Sequence, residues 1–97
     1  MNKATAYSIY FKARQEFLSQ ERTQHLITKT IDRCNESINS AATSLAKGVE
    51  IDLSNIVHND FHALKSGEQE VLAQEVANNF YDLLEHREGP VLMLRWS

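Results

Sequence analysis

The chain has 97 residues, of which 42% are hydrophobic and 24% are charged, and its formal net charge is −3. This length predicts one small domain over residues 1–97 and excludes a large multidomain enzyme. The composition, with three glycines and one proline, favours a helical globular protein and excludes a disordered or collagen-like chain. No apolar run is long enough for a signal peptide or a membrane span, so we expect a soluble cytoplasmic protein.

The first half of the chain predicts two long helices, because no glycine precedes Gly48. Aromatic and aliphatic residues recur at helical spacing over about 4–19, where Asn2 or Thr5 is a candidate N-cap. The sequence leaves open whether this helix continues into the next. A second helix ends near Lys47, and its single apolar stripe has alternating spacings of four and three. The stripe comprises Ile27, Ile31, Cys34, Ile38, Ala41 and Leu45.

The second half predicts two further helices and two short strands. Alternation over 49–52 indicates a strand, followed by a helix over about 53–65 that Asp52 or Ser54 caps. Ser66 and Gln69 are spaced as a capping box, which predicts a helix from 66 to about 87. Residues 91–96 indicate a second strand that pairs with 49–52 or with its own copy in a homodimer.

The predicted fold is therefore mainly α, of the α+β class, with about four helices and a short two-stranded β element. Its core is expected to form from hydrophobic residues of the second, third and fourth predicted helices and of the final strand. These residues are Ile27, Ile31, Ile38, Leu45, Ile56, Phe61, Leu72, Val76, Phe80 and Trp96.

The sequence contains no motif that indicates catalysis, a metal or a cofactor. Cys34 is the only cysteine, and its place on the apolar stripe predicts a core residue. His58 and His62 have the spacing of a helical metal pair, but the residue after His58 is Asn59 rather than glutamate, and no third ligand is evident. We therefore expect a protein without enzymatic activity and with no bound metal.

Charge is distributed unevenly between the two halves of the chain. Residues 1–48 contain seven Lys or Arg and four acids, whereas residues 49–97 contain three and nine. A surface of fixed carboxylates is attracted to the positively charged channels in which other proteins hold nucleic acid. The candidate partner-binding acids are Glu50, Asp52, Asp60, Glu68, Glu70, Glu75, Asp82, Glu85 and Glu88.

The basic residues of the first half provide an alternative nucleic-acid surface. Arg22, Lys29 and Arg33 lie roughly along one side of the second helix, although Asp32 and Glu36 dilute this stripe. A helix–turn–helix around Ser66 is disfavoured because its second helix would present glutamates to phosphate groups.

The size, the compact helical build, the end strand over 91–96 and the acidic segment over 50–88 resemble the small prophage-encoded anti-CRISPR proteins that inhibit type I-F surveillance complexes. The resemblance implies a phage or mobile-element inhibitor in a bacterial host cell, which binds a complex of Cas proteins and RNA. Some members block target DNA by imitating it. The net charge of −3 favours a local acidic patch over a wholly acidic surface.

Two further functions remain open from the sequence. The first is a small dimeric DNA-binding regulator that uses the basic side of the second helix. The second is an adaptor that binds a partner through an apolar helix face, for which an exposed apolar patch is the expected sign.

Overall fold

The computed structural model describes all residues from Met1 to Ser97, and it contains five helices and a three-stranded antiparallel sheet. The mainly helical α+β class is confirmed, with one helix and one strand more than predicted. In chain order the elements are α1 (Lys3–Ser19), α2 (Glu21–Thr43), β1 (Gly48–Asp52), α3 (Leu53–Ile56), α4 (His58–His62), α5 (Ser66–Asn79), β2 (Leu84–Glu88) and β3 (Val91–Arg95).

The two N-terminal helices are separate. Asn2 caps α1, because its Oδ1 accepts a hydrogen bond of 2.9 Å from the backbone N–H of Thr5. Gln20 has an extended backbone, with φ −66° and ψ 137°, so the chain turns within one residue before α2 begins. After this break α2 packs against α5 and β1, and α1 contacts both α2 and α5.

The C-terminal strand lies in the middle of the sheet. β3 pairs with β1 on one side, as the sequence predicts, with Val49 opposite Leu94 and Ile51 opposite Leu92. On its other side β3 pairs with β2. Both edges of β3 are therefore occupied within the chain, and a homodimer paired through this strand would have to displace a neighbouring strand.

The predicted helix from 66 to 87 is wrong in its second half. α5 ends at Asn79, and 84–88 instead form β2, which a tight turn at Gly89 and Pro90 joins to β3. Gly89 has φ +58°, a conformation that glycine adopts without steric cost. Pairing with β2 satisfies backbone groups of β3 that would otherwise lack partners, and this tertiary gain exceeds the helical preference of the segment.

The predicted helix over 53–65 is also interrupted. Asp52 caps its start as expected, by accepting a hydrogen bond of 2.9 Å from the backbone N–H of Ser54. Val57, with φ −130° and ψ 50°, then separates α3 from α4. The carbonyl oxygen of Ile56 accepts a hydrogen bond from Arg33 Nη1 of α2 at 2.7 Å. A contact with α2 thus satisfies a backbone group at the interruption.

Leu45 does not belong to the core, contrary to the sequence prediction. α2 ends at Thr43, and the N–H groups of Leu45 and Ala46 donate to the carbonyl oxygens of Ala42 and Ala41, both at 3.0 Å. This is the Schellman pattern of a helix C-terminus. It places Leu45 at φ +66°, with 89% of the residue exposed.

The core lies between α2, the short helices, α5 and one face of the sheet. Phe61, Leu72, Val76 and Phe80 are buried as predicted. The four predicted core isoleucines are half-buried against this cluster, and Trp96 is half-buried with its Nε1 donating to the Ala46 carbonyl oxygen at 3.0 Å. The buried cluster comprises Cys34, Ile51, Leu53, Val57, Phe61, Leu72, Ala73, Val76, Ala77, Phe80, Leu92 and Leu94.

The start of β1 requires a residue without a side chain, which gives a testable prediction. A Cβ atom on Gly48 would lie 2.5 Å from the backbone oxygen of Leu94, whereas one on Gly67 would meet nothing within 4 Å. We expect Gly48→Ala to lower the free energy of unfolding by about 1–3 kcal/mol, because the backbone of the sheet must shift. Gly67→Ala, within α5, is the control and is expected to be neutral or stabilising. Urea unfolding of both variants measures the difference, and equal stabilities would contradict the prediction.

Candidate functional site

The sheet has one face in the core and one face open to solvent. Val49 and Ile51 of β1 lie opposite Leu94 and Leu92 of β3, and the last three of these are buried. Because side chains alternate along a strand, their sequence neighbours point to the other side. This outer sheet face comprises Glu50, Asp52, Glu85, His86, Glu88, Val91, Met93 and Arg95.

Met93 occupies the middle of the outer sheet face. It lies opposite Glu50 of β1 and opposite His86 of β2. The register of β2 shifts between Leu84 and His86, which leaves Glu85 at the irregularity. The distance from Glu85 Oε2 to Arg95 Nη1 is 3.6 Å. A shallow hollow of about 240 Å³ is lined by Lys47, Gly48, Val49, Glu50, Glu85, Met93, Leu94 and Arg95.

The carboxylates of the outer sheet face are largely free. Glu50 is exposed and forms no ion pair. Glu88 has an exposed side chain whose nearest partner is His86, at 3.9 Å, and Glu85 meets Arg95 only at the long distance given above. Exposed pairs of this kind contribute little to stability, so these groups remain available to a partner.

A second group of the predicted acids is used within the fold. Asp60 of α4 accepts from Lys29 Nζ of α2 at 2.8 Å. Glu75 of α5 accepts from Arg14 Nη2 of α1 at 2.6 Å. These pairs join separate elements and neutralise the acids, so they remove Asp60 and Glu75 from a free acidic surface.

The remaining predicted acids are Asp52, Glu68, Glu70 and Asp82, and all but Asp82 are engaged in contacts within the chain. Glu70 is exposed but paired with Arg87 at 2.8 Å, which joins α5 to β2. Glu68 accepts a hydrogen bond of 2.9 Å from the backbone N–H of Lys65, so the observed capping interaction lies one residue before the predicted one. Asp52 is engaged as the cap of α3, and Asp82 is exposed in the turn before β2.

The alternative basic surface is also partly used within the chain. Lys29 is paired with Asp60, and Arg33 donates to the backbone of α3, as described above. Arg22 donates through Nε to the Gln20 side chain at 3.1 Å. The hollow beside these residues is lined by His25, Thr28, Lys29, Asp32, Arg33 and Glu36, so acids are interspersed with the cations.

Cys34 is a core residue, as the sequence predicts. It is fully buried, and this burial raises the pKa of its thiol to about 11. The thiol is therefore protonated at neutral pH and is a poor nucleophile. His58 and His62 are exposed with ring centroids 4.4 Å apart, and no group of three His, Cys, Asp or Glu side chains is placed to hold a metal ion.

The Glu70–Arg87 pair predicts a small pH dependence of stability. Hydrogen bonding to Arg87 lowers the pKa of Glu70 below its ordinary value. The ionised Glu70 therefore contributes its full stabilisation at a pH above its pKa in the unfolded chain. This contribution is lost as the pH falls through the lowered pKa of Glu70 in the folded protein. Because the pair is exposed, we expect it to contribute less than about 1 kcal/mol to the free energy of unfolding. Urea unfolding of Glu70→Gln and of the wild type at pH 7 and pH 3 checks this: the loss of stability in the variant should be larger at pH 7 than at pH 3.

Met93 and His86 are site residues that the sequence analysis did not identify. The helix predicted over 66–87 placed His86 on a helix, so the shared face of three strands was not visible. The first four residues of β3 are all apolar, so the alternation of half-buried and buried residues that defines this face is visible only in the structure.

Comparisons with protein-family models, with curated proteins and with solved structures give no match to this chain. No helix is both long and apolar enough to cross a membrane.

Proposed function

We propose that the protein is a non-enzymatic inhibitor, encoded by a phage or mobile element, that binds a host CRISPR–Cas surveillance complex and competes with target DNA. The contact surface is the outer sheet face. The observation that supports this proposal is that Glu50, Glu85 and Glu88, which are up to 38 positions apart in sequence, share one exposed face of a hydrogen-bonded sheet.

The physical basis of the proposal is a fixed pattern of negative charge. Backbone hydrogen bonds of the sheet fix the positions from which these carboxylates project, so only the side chains have to be ordered when they meet a positively charged channel. Such a channel attracts phosphates through charge and shape, and it attracts a rigid acidic surface for the same reason. Met93 and Val91 add an apolar centre, which is typical of protein interfaces.

The experiment is a competition assay. A purified type I-F surveillance complex with labelled target duplex is titrated with the protein, beside a control that contains only the duplex and the protein. We expect the complex to lose DNA while the control shows no shift. A control that shifts at low salt would contradict the proposal and support direct DNA binding. If DNA stays on the complex, this inhibitor function is excluded for the type I-F target.

The adaptor function is a second candidate, because α1 exposes an aromatic patch that includes Tyr7, Tyr10 and Phe11. The DNA-binding regulator has less support, because Lys29 and Arg33 are engaged in contacts within the chain.

A further inference from the structure

Two of the four histidines of the chain stand side by side on α4. His58 and His62 are four residues apart, which places their side chains on the same side of one helical turn. Their ring centroids are 4.4 Å apart, and the ring planes are inclined at 57°. Both residues are exposed, so a ligand can reach the two rings from solvent. The nitrogens of neutral imidazole are the commonest protein ligands of transition metals.

The separation of the two rings fits a metal ion that holds its ligands at right angles. Such an ion lies about 2.0–2.1 Å from an imidazole nitrogen, and therefore about 3.2 Å from the centroid of that ring. Two rings bound to one ion have centroids about 4.5 Å apart at a right angle and about 5.2 Å apart at the tetrahedral angle. The observed 4.4 Å matches the first arrangement. Right-angled positions are typical of Cu²⁺ and Ni²⁺, whereas structural Zn²⁺ is tetrahedral.

The backbone that carries the histidine pair is held by the core, by α5 and by α2. Phe61, between the two histidines, is only 5% exposed and belongs to the buried cluster. Its carbonyl oxygen accepts a hydrogen bond of 3.0 Å from Gln69 Nε2 of α5. Asp60 is paired with Lys29 of α2, as described above. Because these contacts fix α4 in the free protein, little ordering of the backbone is required when both rings bind one ion.

Asn59 favours the tautomer of His58 that a metal requires. Its Oδ1 lies 3.4 Å from His58 Nδ1. In the tautomer with the proton on Nδ1, this oxygen accepts the proton, and the lone pair on Nε2 is free to bind a metal. Oxygen atoms that accept from the other ring nitrogen are the usual neighbours of metal-binding histidines. Asn59 cannot act as the general base of a zinc hydrolase, but it fits this orienting role.

We propose that His58 and His62 form a surface site for one divalent transition-metal ion, with Cu²⁺ preferred over Ni²⁺ and Zn²⁺. One nitrogen of each ring binds the ion, and water molecules occupy the remaining positions. The sequence predicts no bound metal because it lacks a third ligand, and no third His, Cys, Asp or Glu side chain is placed to complete a tetrahedron. An ion that keeps water ligands does not require one. Cu²⁺ also has the highest affinity for nitrogen ligands in the divalent first-row series.

This metal site is independent of the proposed function, because the histidine pair and the outer sheet face share no residue. Its test is isothermal titration calorimetry of the purified chain, without an affinity tag, against CuCl₂, NiCl₂ and ZnCl₂. We expect one ion per chain and binding of Cu²⁺ at least about tenfold tighter than that of Zn²⁺. His58→Asn and His62→Asn each leave a single ring, so the second contact is lost, and each should weaken Cu²⁺ binding at least about tenfold.

The matched control is His25→Asn. His25 is an exposed histidine of α2 whose neighbour is Glu21, at 3.8 Å, rather than a second imidazole. This variant should bind Cu²⁺ within about twofold of the wild type, because the substitution lies outside the pair. Circular dichroism verifies that all three variants are folded. A wild type that binds no Cu²⁺ at about 1 mM, equal losses in His25→Asn and His58→Asn, or Zn²⁺ bound as tightly as Cu²⁺ would each overturn the proposal.

The position of the ion is tested separately by nuclear magnetic resonance. Cu²⁺ is paramagnetic and broadens the amide resonances of nearby residues. In a sample labelled with ¹⁵N, a substoichiometric amount of Cu²⁺ should broaden residues 57–64 first, and this effect should disappear in His62→Asn. Broadening centred on His86, on His25 or on the N-terminus would contradict the assignment of the site to α4.

Discussion

Replacing Leu92 with alanine is expected to lower the free energy of unfolding by about 2–5 kcal/mol. Leu92 is completely buried in the central strand, where it lies opposite Ile51 of β1 and Arg87 of β2. Truncation removes apolar contacts and leaves a cavity that two neighbouring strands prevent from collapsing. The free energy of unfolding of a small domain is only about 5–15 kcal/mol, so this one substitution removes a large share of the stability.

Met93→Ala is the matched control for this prediction. Met93 follows Leu92 in the same strand but lies on the outer sheet face and is half-buried. We expect its truncation to cost less than about 1 kcal/mol, because little packing is lost. Urea unfolding followed by circular dichroism measures both variants. Similar costs for Leu92→Ala and Met93→Ala would contradict the assignment of the two faces of the sheet.

Reversing the charge of Glu50, Glu85 and Glu88 together is expected to weaken inhibition about tenfold to a hundredfold. In this variant each of the three glutamates is replaced by lysine, which the positive surface of the partner repels. A loss of about 1.4 kcal/mol in binding free energy corresponds to a tenfold loss of affinity. The three substitutions change the formal net charge from −3 to +3. The measurement is the protein concentration that displaces half of the target duplex from the surveillance complex.

The control reverses Glu16, Glu21 and Glu36, which are exposed acids of α1 and α2. This variant has the same net charge as the first but leaves the outer sheet face unchanged. It should inhibit within a few-fold of the wild type. If both variants lose activity equally, net charge rather than a specific face is responsible, and the proposed contact surface is wrong.

Local sequence patterns predicted the helices whose apolar residues recur at helical spacing and whose first turn has a capping residue. α1 was placed by its apolar spacing and Asn2, and the β1–β3 pairing followed from two short strands that each needed a neighbour. The error at 84–88 has a tertiary cause. Leu83 and Leu84 fit a helical stripe, and only the requirement of β3 for a second neighbour favours a strand.

The exposure of α1 was not predictable from its pattern. Tyr7, Tyr10 and Phe11 have the spacing of a core-facing helix side, and the sequence contains nothing that separates packing within the chain from packing against a partner. Leu45 illustrates the same limit, because it continues the stripe of α2 by one step but falls after the end of the helix.

The acidic character of the second half was visible in the sequence, but the usable acids were not. Arg14 and Glu75 are 61 positions apart, and Lys29 and Asp60 are 31 apart, so their pairing depends on the arrangement of whole helices. Once these contacts are known, Glu50, Glu85 and Glu88 remain as a shared surface. Sequence composition predicts the sign of the net charge of a surface, whereas tertiary contacts decide which charged side chains remain unpaired.

The two methionines offer the most direct test of the outer sheet face as the binding surface. Met93 lies at its centre, and Met1 lies two residues before the start of α1, so a methyl-labelled sample reports separately on this face and on the N-terminus. We predict that the Met93 methyl resonance shifts when the surveillance complex binds the protein, while that of Met1 stays in place. An unchanged Met93 resonance in a fully bound sample would contradict the account.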